Sequence, residues 1–197
     1  MSRPSLTASQ TVGPYFAIGL TQDDRPAPLK HRLVGPQTTG QHIHLQGHVY
    51  DGEGAPVPDA MLELWQANSY GRYHHPSDPR HDLPLDPDFT GFGRGGTDDE
   101  GRYWFQTIKP GRVPGPNGTL QAPHIVVTVF ARGLLNHAVT RPYFADEPSN
   151  ADDPILQRVA AERRAALLAQ PHYHGEETAY QFDIVLQGDV ETPFFNV

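Results

Sequence analysis

The sequence predicts an all-β sandwich with an N-terminal arm and one peripheral helix. Three observations carry that expectation. From His42 onward the chain breaks into short runs rich in β-branched and aromatic residues, separated by turn-forming residues. Within several runs, apolar and polar side chains alternate with the two-residue period of a half-buried strand. One stretch, residues 155–170, follows the 3.6-residue period of an amphipathic helix instead.

Residues 1–41 show no sustained period and hold several Pro and Gly, so they read as an arm or irregular lead-in to a domain spanning 42–197. HIHLQGHVYD (42–51) reads as the first strand, closed by the turn GEGAP. AMLELWQA (60–67) alternates, with Met61, Glu63 and Trp65 on one face and Leu62, Leu64 and Gln66 on the other. GRYWFQTI (101–108) follows an acidic turn. HIVVTVFA (124–131) is a continuous apolar run, as expected of a strand buried on both faces. LLNHAVTRPYF (134–144) and TAYQFDIVLQG (178–188) complete the strands. Asp152-Asp153-Pro154 then offers an N-cap and a first-turn proline for a helix of about four turns ending near Pro171.

Composition narrows the function. The 197 residues include 11 His, 19 Gly, 20 Pro and no Cys. A missing thiol excludes disulfide scaffolds, thiolate metal sites and cysteine nucleophiles together. A net charge of −8 opposes nucleic-acid binding, which needs a basic footprint. No apolar run is long enough to span a membrane. The start, MSRPSLTASQ, lacks the apolar region of a signal peptide, so a soluble cytoplasmic protein is the expectation.

Histidine is therefore the chemical resource to weigh. His42 and His44 stand two apart in a strand and share a face, where both imidazoles could reach one metal, with His48 further along. The competing reading is two polar residues on a solvated strand face. His74-His75 and His172-Tyr173-His174 lie in Pro-, Ser- and Gly-rich surroundings and read as surface loops. His124, opening an apolar strand, is the histidine expected to face an interior cavity.

The stretch LQGHVYDGEGAPVPDAMLELWQANSYGRY (45–73) resembles the signature of intradiol ring-cleavage dioxygenases. It matches at Leu45, Gly47, Val49, Gly54, Val57, Leu62, Glu63, Leu64, Gly71 and Tyr73. The likeness continues through residues 86–111, APHIVVTVFARG (122–133) and the ending ETPFFNV, and SQTVGPYF (9–16) resembles the N-terminal arm of these enzymes.

The resemblance implies a transthyretin-like (prealbumin-like) β-sandwich and cleavage of a catechol ring by O₂. In the family, two tyrosines and two histidines hold Fe(III), a hard ion suited to tyrosinate oxygen. Carried over by position, those ligands fall at His81, Val113, His124 and Val126, and only His124 keeps its type. The arginine that stands three residues before the first histidine is replaced by Gln121.

That pattern is similar to the iron-free α chain of a two-chain member, in which a homologous β chain carries Fe(III) and α–β pairs assemble further. It implies no catalytic and no metal-binding residue on this chain. Thr11, Gly13, Pro14, Tyr15 and Arg132 would instead line the aromatic substrate's pocket on the partner. Two alternatives stay open: a self-sufficient metalloenzyme using His42 and His44 with His48, and a non-catalytic transthyretin-like binding or assembly module.

Overall fold

The computed structural model describes Gly13, Leu20 and residues 30–174 and 177–196. Two sheets face each other across one core. Strands β1 (His42–Tyr50), β2 (Met61–Trp65), β3 (Phe92–Gly96) and β4 (Arg102–Ile108) are followed by the two-residue strands β5 (Val113–Pro114) and β6 (Leu120–Gln121). Then come β7 (Val126–Phe130), β8 (Ala138–Thr140), β9 (Tyr143–Phe144), β10 (Leu168–His174), β11 (Glu177–Gln181) and β12 (Ile184–Val185). One sheet has β4 antiparallel to β1, with β11 and β12 parallel to β1 on its other side and β10 and β9 beyond β11. The other runs β3-β2-β7-β8, and β5 and β6 form a separate ribbon.

The two-residue period does what the sequence requires of it. Ile43, Leu45 and Val49 of β1, Leu62 and Leu64 of β2, Phe105 of β4 and Val127 and Val129 of β7 meet in the core. Each fully buried aliphatic side chain contributes about 1.5–3 kcal/mol relative to exposure. β7 departs from the expectation of burial on both faces: Val126, Thr128 and Phe130 are half-buried and face outward. A sandwich sheet covers only one face, so an apolar run need not be enclosed.

Residues 30–34 close one edge of the sandwich. Lys30 bridges to Arg94 on β3, while the 31–33 segment exchanges hydrogen bonds with Gln106 on β4. Leu33 and Val34 join the core. The sequence FGRGG shows no strand-like apolar alternation, yet β3 forms because its glycines admit this clamp. A Cβ at Gly93 would stand 2.7 Å from Leu33, and one at Gly95 2.5 Å from His31.

The helical excursion lies where the sequence places it, but it is not one continuous α-helix. It consists of three 3₁₀ segments, Pro148–Asp152, Leu156–Arg158 and Ala161–Leu167. Asp153 caps the middle one, accepting from the amides of Ile155 and Leu156. The helix does not persist to Pro171, because Leu168 and Ala169 pair with β9 and the chain leaves as β10. His172 and Tyr173 are thus exposed on a strand rather than in a loop. Tyr143, Ala122, Leu156 and Leu167 form a satellite cluster beneath the excursion.

Candidate functional site

The positions matched to metal ligands lie on one loop (His81), on β5 (Val113), and at the entrance and first residue of β7 (His124 and Val126). Asn68 organises the first loop. Its Oδ1 accepts from the amides of Tyr70 and Arg72, both at 3.0 Å, and its Nδ2 donates to the Pro84 carbonyl at 2.9 Å. Gly71 then turns with φ +79°, and a Cβ there would stand 2.0 Å from the Arg112 carbonyl oxygen. Only glycine allows that approach. It brings the 68–72 loop against the segment leading to Val113.

His81 is exposed, and its Nδ1 lies 3.0 Å from Nη2 of Arg72. Guanidinium only donates, so Nδ1 is the acceptor and its lone pair is taken. Val113 is buried and pairs with Gln121, while Val126 stands opposite Trp65 in the β2–β7 ladder. Neither valine offers a donor atom. His124 is 5% exposed, and its Nδ1 lies 2.8 Å from the Ala122 carbonyl oxygen. Nδ1 therefore carries the proton and Nε2 is the basic nitrogen. Burial brings its pKa down to about 4, with the charge of Arg141 adding to the shift and the Ala122 bond opposing it. The ring is neutral at pH 7.

These four positions do not fit a ferric ion, because one histidine with an open lone pair cannot replace two tyrosinates and two imidazoles. Among the described residues, no group of three or more His, Asp or Glu is placed to hold a metal. The β1 histidines also diverge. His42 Nε2 lies 2.9 Å from the Thr38 carbonyl oxygen, and His48 Nδ1 lies 3.3 Å from Asp183. The reading of a histidine-based metalloenzyme on His42, His44 and His48 is corrected accordingly, since His42 and His48 each spend a ring nitrogen on a different partner and no third ligand is placed beside them among the described residues.

A cavity of ≈330 Å³ is lined by Arg80 and Pro114, the chain neighbours of His81 and Val113, but by none of the four positions themselves. Trp65, Tyr73, His75, Asp78, Arg80 and Pro114 line it. Trp65 and Tyr73 stack with ring centres 5.7 Å apart and planes 11° from parallel, and His75 meets Trp65 edge-on. Arg80 is forked onto Asp78, which also accepts the Tyr73 amide. The Arg80 guanidinium holds the Asp78 carboxyl far below the usual carboxylate range. Burial raises the Tyr73 hydroxyl, so it remains a proton donor at neutral pH.

Arg141, which the sequence does not single out, and Asp153, which it offers only as a cap, complete this region. Arg141 donates from Nη1 to Oε1 of Gln121 at 2.8 Å, and its guanidinium lies over the Phe195 ring at 5.5 Å. Asp153 is fully buried and also accepts from the Ala122 amide at 2.7 Å and the Tyr143 hydroxyl at 3.1 Å. Its place beside Pro154 signals a cap, but nothing in the sequence signals that it also ties β9 to the entrance of β7.

The expected pocket-wall residues lie elsewhere. Arg132, just beyond β7, pairs with Asp59 at 3.2 Å and stands half-exposed beside a separate surface cavity of ≈480 Å³ that includes Val57, Leu134 and Leu186. Gly13 has φ +69° and no atom within 4 Å of where a Cβ would stand. Thr11, Pro14 and Tyr15 lie outside the described residues.

A family model described as "Dioxygenase" matches residues 11–188. This chain belongs to the intradiol ring-cleavage dioxygenases. It is 46% identical to the protocatechuate 3,4-dioxygenase alpha chain of Burkholderia cepacia, over 97% of each chain. It is 41% identical to the alpha chain of Pseudomonas putida, over 96% of each. The beta chain of Burkholderia cepacia is 37% identical over 98% of this chain and 86% of its own length. Among solved structures, the dioxygenase domain of a dioxygenase–carbohydrate-binding fusion from Streptomyces sp. SirexAA-E superposes with a TM-score of 0.64 at 28% identity. That match covers 93% of this chain and 99% of that one.

Proposed function

We propose that this chain is the α subunit of a protocatechuate 3,4-dioxygenase. In this reading it pairs with a homologous β subunit that holds Fe(III), and the pairs assemble into a higher oligomer. The complex cleaves 3,4-dihydroxybenzoate between its hydroxyl-bearing carbons, placing both atoms of O₂ in 3-carboxy-cis,cis-muconate within the β-ketoadipate route of aromatic catabolism. One observation carries the reading: a chain with near-full-length identity to alpha chains keeps the dioxygenase scaffold but has a donor of the family's type at only one of four ligand positions.

The α chain then supplies assembly and pocket walls. Thr11, Gly13, Pro14, Tyr15 and Arg132 would border the substrate on the β side, where the cation of Arg132 favours an anionic substrate. The guanidinium of Arg132 is half-exposed and its ion pair is with an equally exposed Asp59, so a partner surface can reach it. Among the described residues no helix is long and apolar enough to cross a membrane.

Co-expression with the β homologue tests the proposal through mass, iron content and ring cleavage. Activity and iron that appear only in the two-chain complex support it. Stoichiometric ferric iron with a tyrosinate charge-transfer colour in this chain alone overturns it. A complex in which Arg132→Ala and Gly13→Val both leave KM unchanged would restrict the chain to assembly.

A further inference from the structure

The outer face of the sheet built on β1 carries a groove of ≈660 Å³, lined by residues of the 96–98 turn, β4, β1 and β11. The two-residue period turns Arg102 and Trp104 of β4 and Gln46 and His48 of β1 outward there. Register sets them in two rows. Trp104 stands opposite Gln46, which stands opposite Gln181 on β11, and Arg102 stands opposite His48. Trp104 is 49% exposed, a large apolar surface to leave in water. It is also fixed in place. His31 stacks on one face of the indole, with ring centres 4.7 Å apart and planes 19° from parallel, and its Nδ1 donates to the Trp104 carbonyl oxygen at 2.9 Å. No other ring meets Trp104 among the described residues. A platform held this way loses little side-chain freedom when a ligand arrives.

Around that ring the groove is polar. Among the described residues, the side chains of Gln46, Arg102 and Trp104 form no hydrogen bond or ion pair. Asp98 spends Oδ1 on the Glu100 and Arg102 amides and leaves Oδ2 open. Gln181 donates from Nε2 to Asp183 at 2.6 Å and keeps its own carbonyl oxygen. The lining therefore offers donors and acceptors side by side, and its guanidinium and carboxylate, on Arg102 and Asp98, offset each other in charge. A flat hydrocarbon ring would cover these groups without meeting them, at the cost of their hydration. A ring with a C–H face and a rim of hydroxyls meets both parts of the groove. Its C–H groups lie against the negative face of the indole, and its hydroxyls replace water at the polar atoms.

We propose that this groove binds a neutral pyranose sugar, with Trp104 as the stacking platform and Gln46, Gln181, Arg102 and Asp98 meeting its hydroxyls. The site shares no lining residue with the Trp65–Tyr73 cavity, includes none of the four ligand positions, and does not depend on the reaction proposed above.

Saturation-transfer difference NMR on the full chain, titrated with methyl β-D-glucopyranoside, tests the proposal. The ring C–H protons of the glycoside should take up saturation from the protein, with a Kd on the order of 1 mM for so small a ligand. Trp104→Ala should weaken binding by about tenfold or more, and Gln46→Ala, which keeps the platform, by about threefold. Both side chains are exposed, so the variants should fold, and near-UV circular dichroism checks each. If the alanine form at position 104 does not fold, Trp104→Leu, which keeps apolar bulk and loses the aromatic face, should weaken binding to a similar degree.

The proposal falls if the glycoside shows no saturable transfer, or if the folded Trp104 variant binds it as well as the parent. It falls too if phenol binds the groove as tightly as the glycoside, which would assign it to flat aromatic rings. Sedimentation in which Trp104→Ala turns an associated chain into a monomer also overturns it, because the groove would then be an interface between copies. The complex with the β homologue should bind the glycoside with the same Kd. A complex that cleaves 3,4-dihydroxybenzoate but binds no glycoside overturns this inference and leaves the proposed function standing.

Discussion

Arg141 places Nη1 2.8 Å from Oε1 of Gln121, joining the turn between β8 and β9 to the edge of the β5–β6 ribbon. The contact is a charge-assisted hydrogen bond, worth about 1.5–3 kcal/mol where water is largely excluded. It keeps a cation beside Tyr143 and His124 although position 121 itself is uncharged.

His124 makes stability depend on acidity. The folded ring holds a pKa of about 4, against 6.5 for the free side chain. Between those values the unfolded chain binds a proton that the folded chain refuses. Its contribution is therefore complete above pH 6.5 and falls as pH drops toward 4, by about 3 kcal/mol in all. Urea denaturation at pH 7 and pH 4.5 should show a steeper loss for the natural chain than for His124→Gln. Equal losses would refute the assignment.

Asp153 holds four donors from three segments and is fully buried. Replacement by Ala leaves three amides and a hydroxyl unsatisfied and should cost about 3–5 kcal/mol. The urea midpoint reads this directly. A change within about 0.5 kcal/mol, typical of a surface substitution, would contradict the role.

Gly71→Ala should destabilise by more than about 1 kcal/mol, since the new methyl meets the Arg112 carbonyl in a left-handed backbone. Loss of the Trp65–Tyr73 stack would accompany it, visible in the near-ultraviolet dichroism of the aromatic residues. Retention of both the midpoint and that signal would show that the two loops can separate freely.

In the two-chain enzyme, Arg132→Ala should raise KM for 3,4-dihydroxybenzoate by about three- to tenfold, the range for one long-range charge at a partly solvated site. An uncharged catechol should show no such rise. Equal changes for both substrates would point to a packing role for Arg132.

Much of the architecture is readable because the outward-facing residues of β1 are polar or aromatic while Ile43, Leu45 and Val49 face inward, and Tyr103 and Phe105 of β4 alternate with exposed Arg102 and Trp104. β3 escapes notice because its glycines have no side chains with which to display a period. Residues 155–167 mislead for the opposite reason. Their apolar spacing is helical, but pairing of Leu168 and Ala169 with β9 and the Asp153 cap select short 3₁₀ turns. β10 contains Pro171 and two histidines, a composition that argues locally against a strand. At the site, the loss of ligands is legible position by position. Arrival of Arg141 is not, because it depends on β8 and β9 folding back beside the ribbon.

The parallel pairing of Ile43 with Thr178 joins the first strand of the domain to almost its last. A nascent chain can complete β1–β4 early, but the opposite flank of β1 must wait for β11 to leave the ribosome. Until then it presents unpaired amides and carbonyls to any neighbouring polypeptide. Such distant closure makes folding slow, and it turns the timing of translation into a determinant of how much protein escapes aggregation.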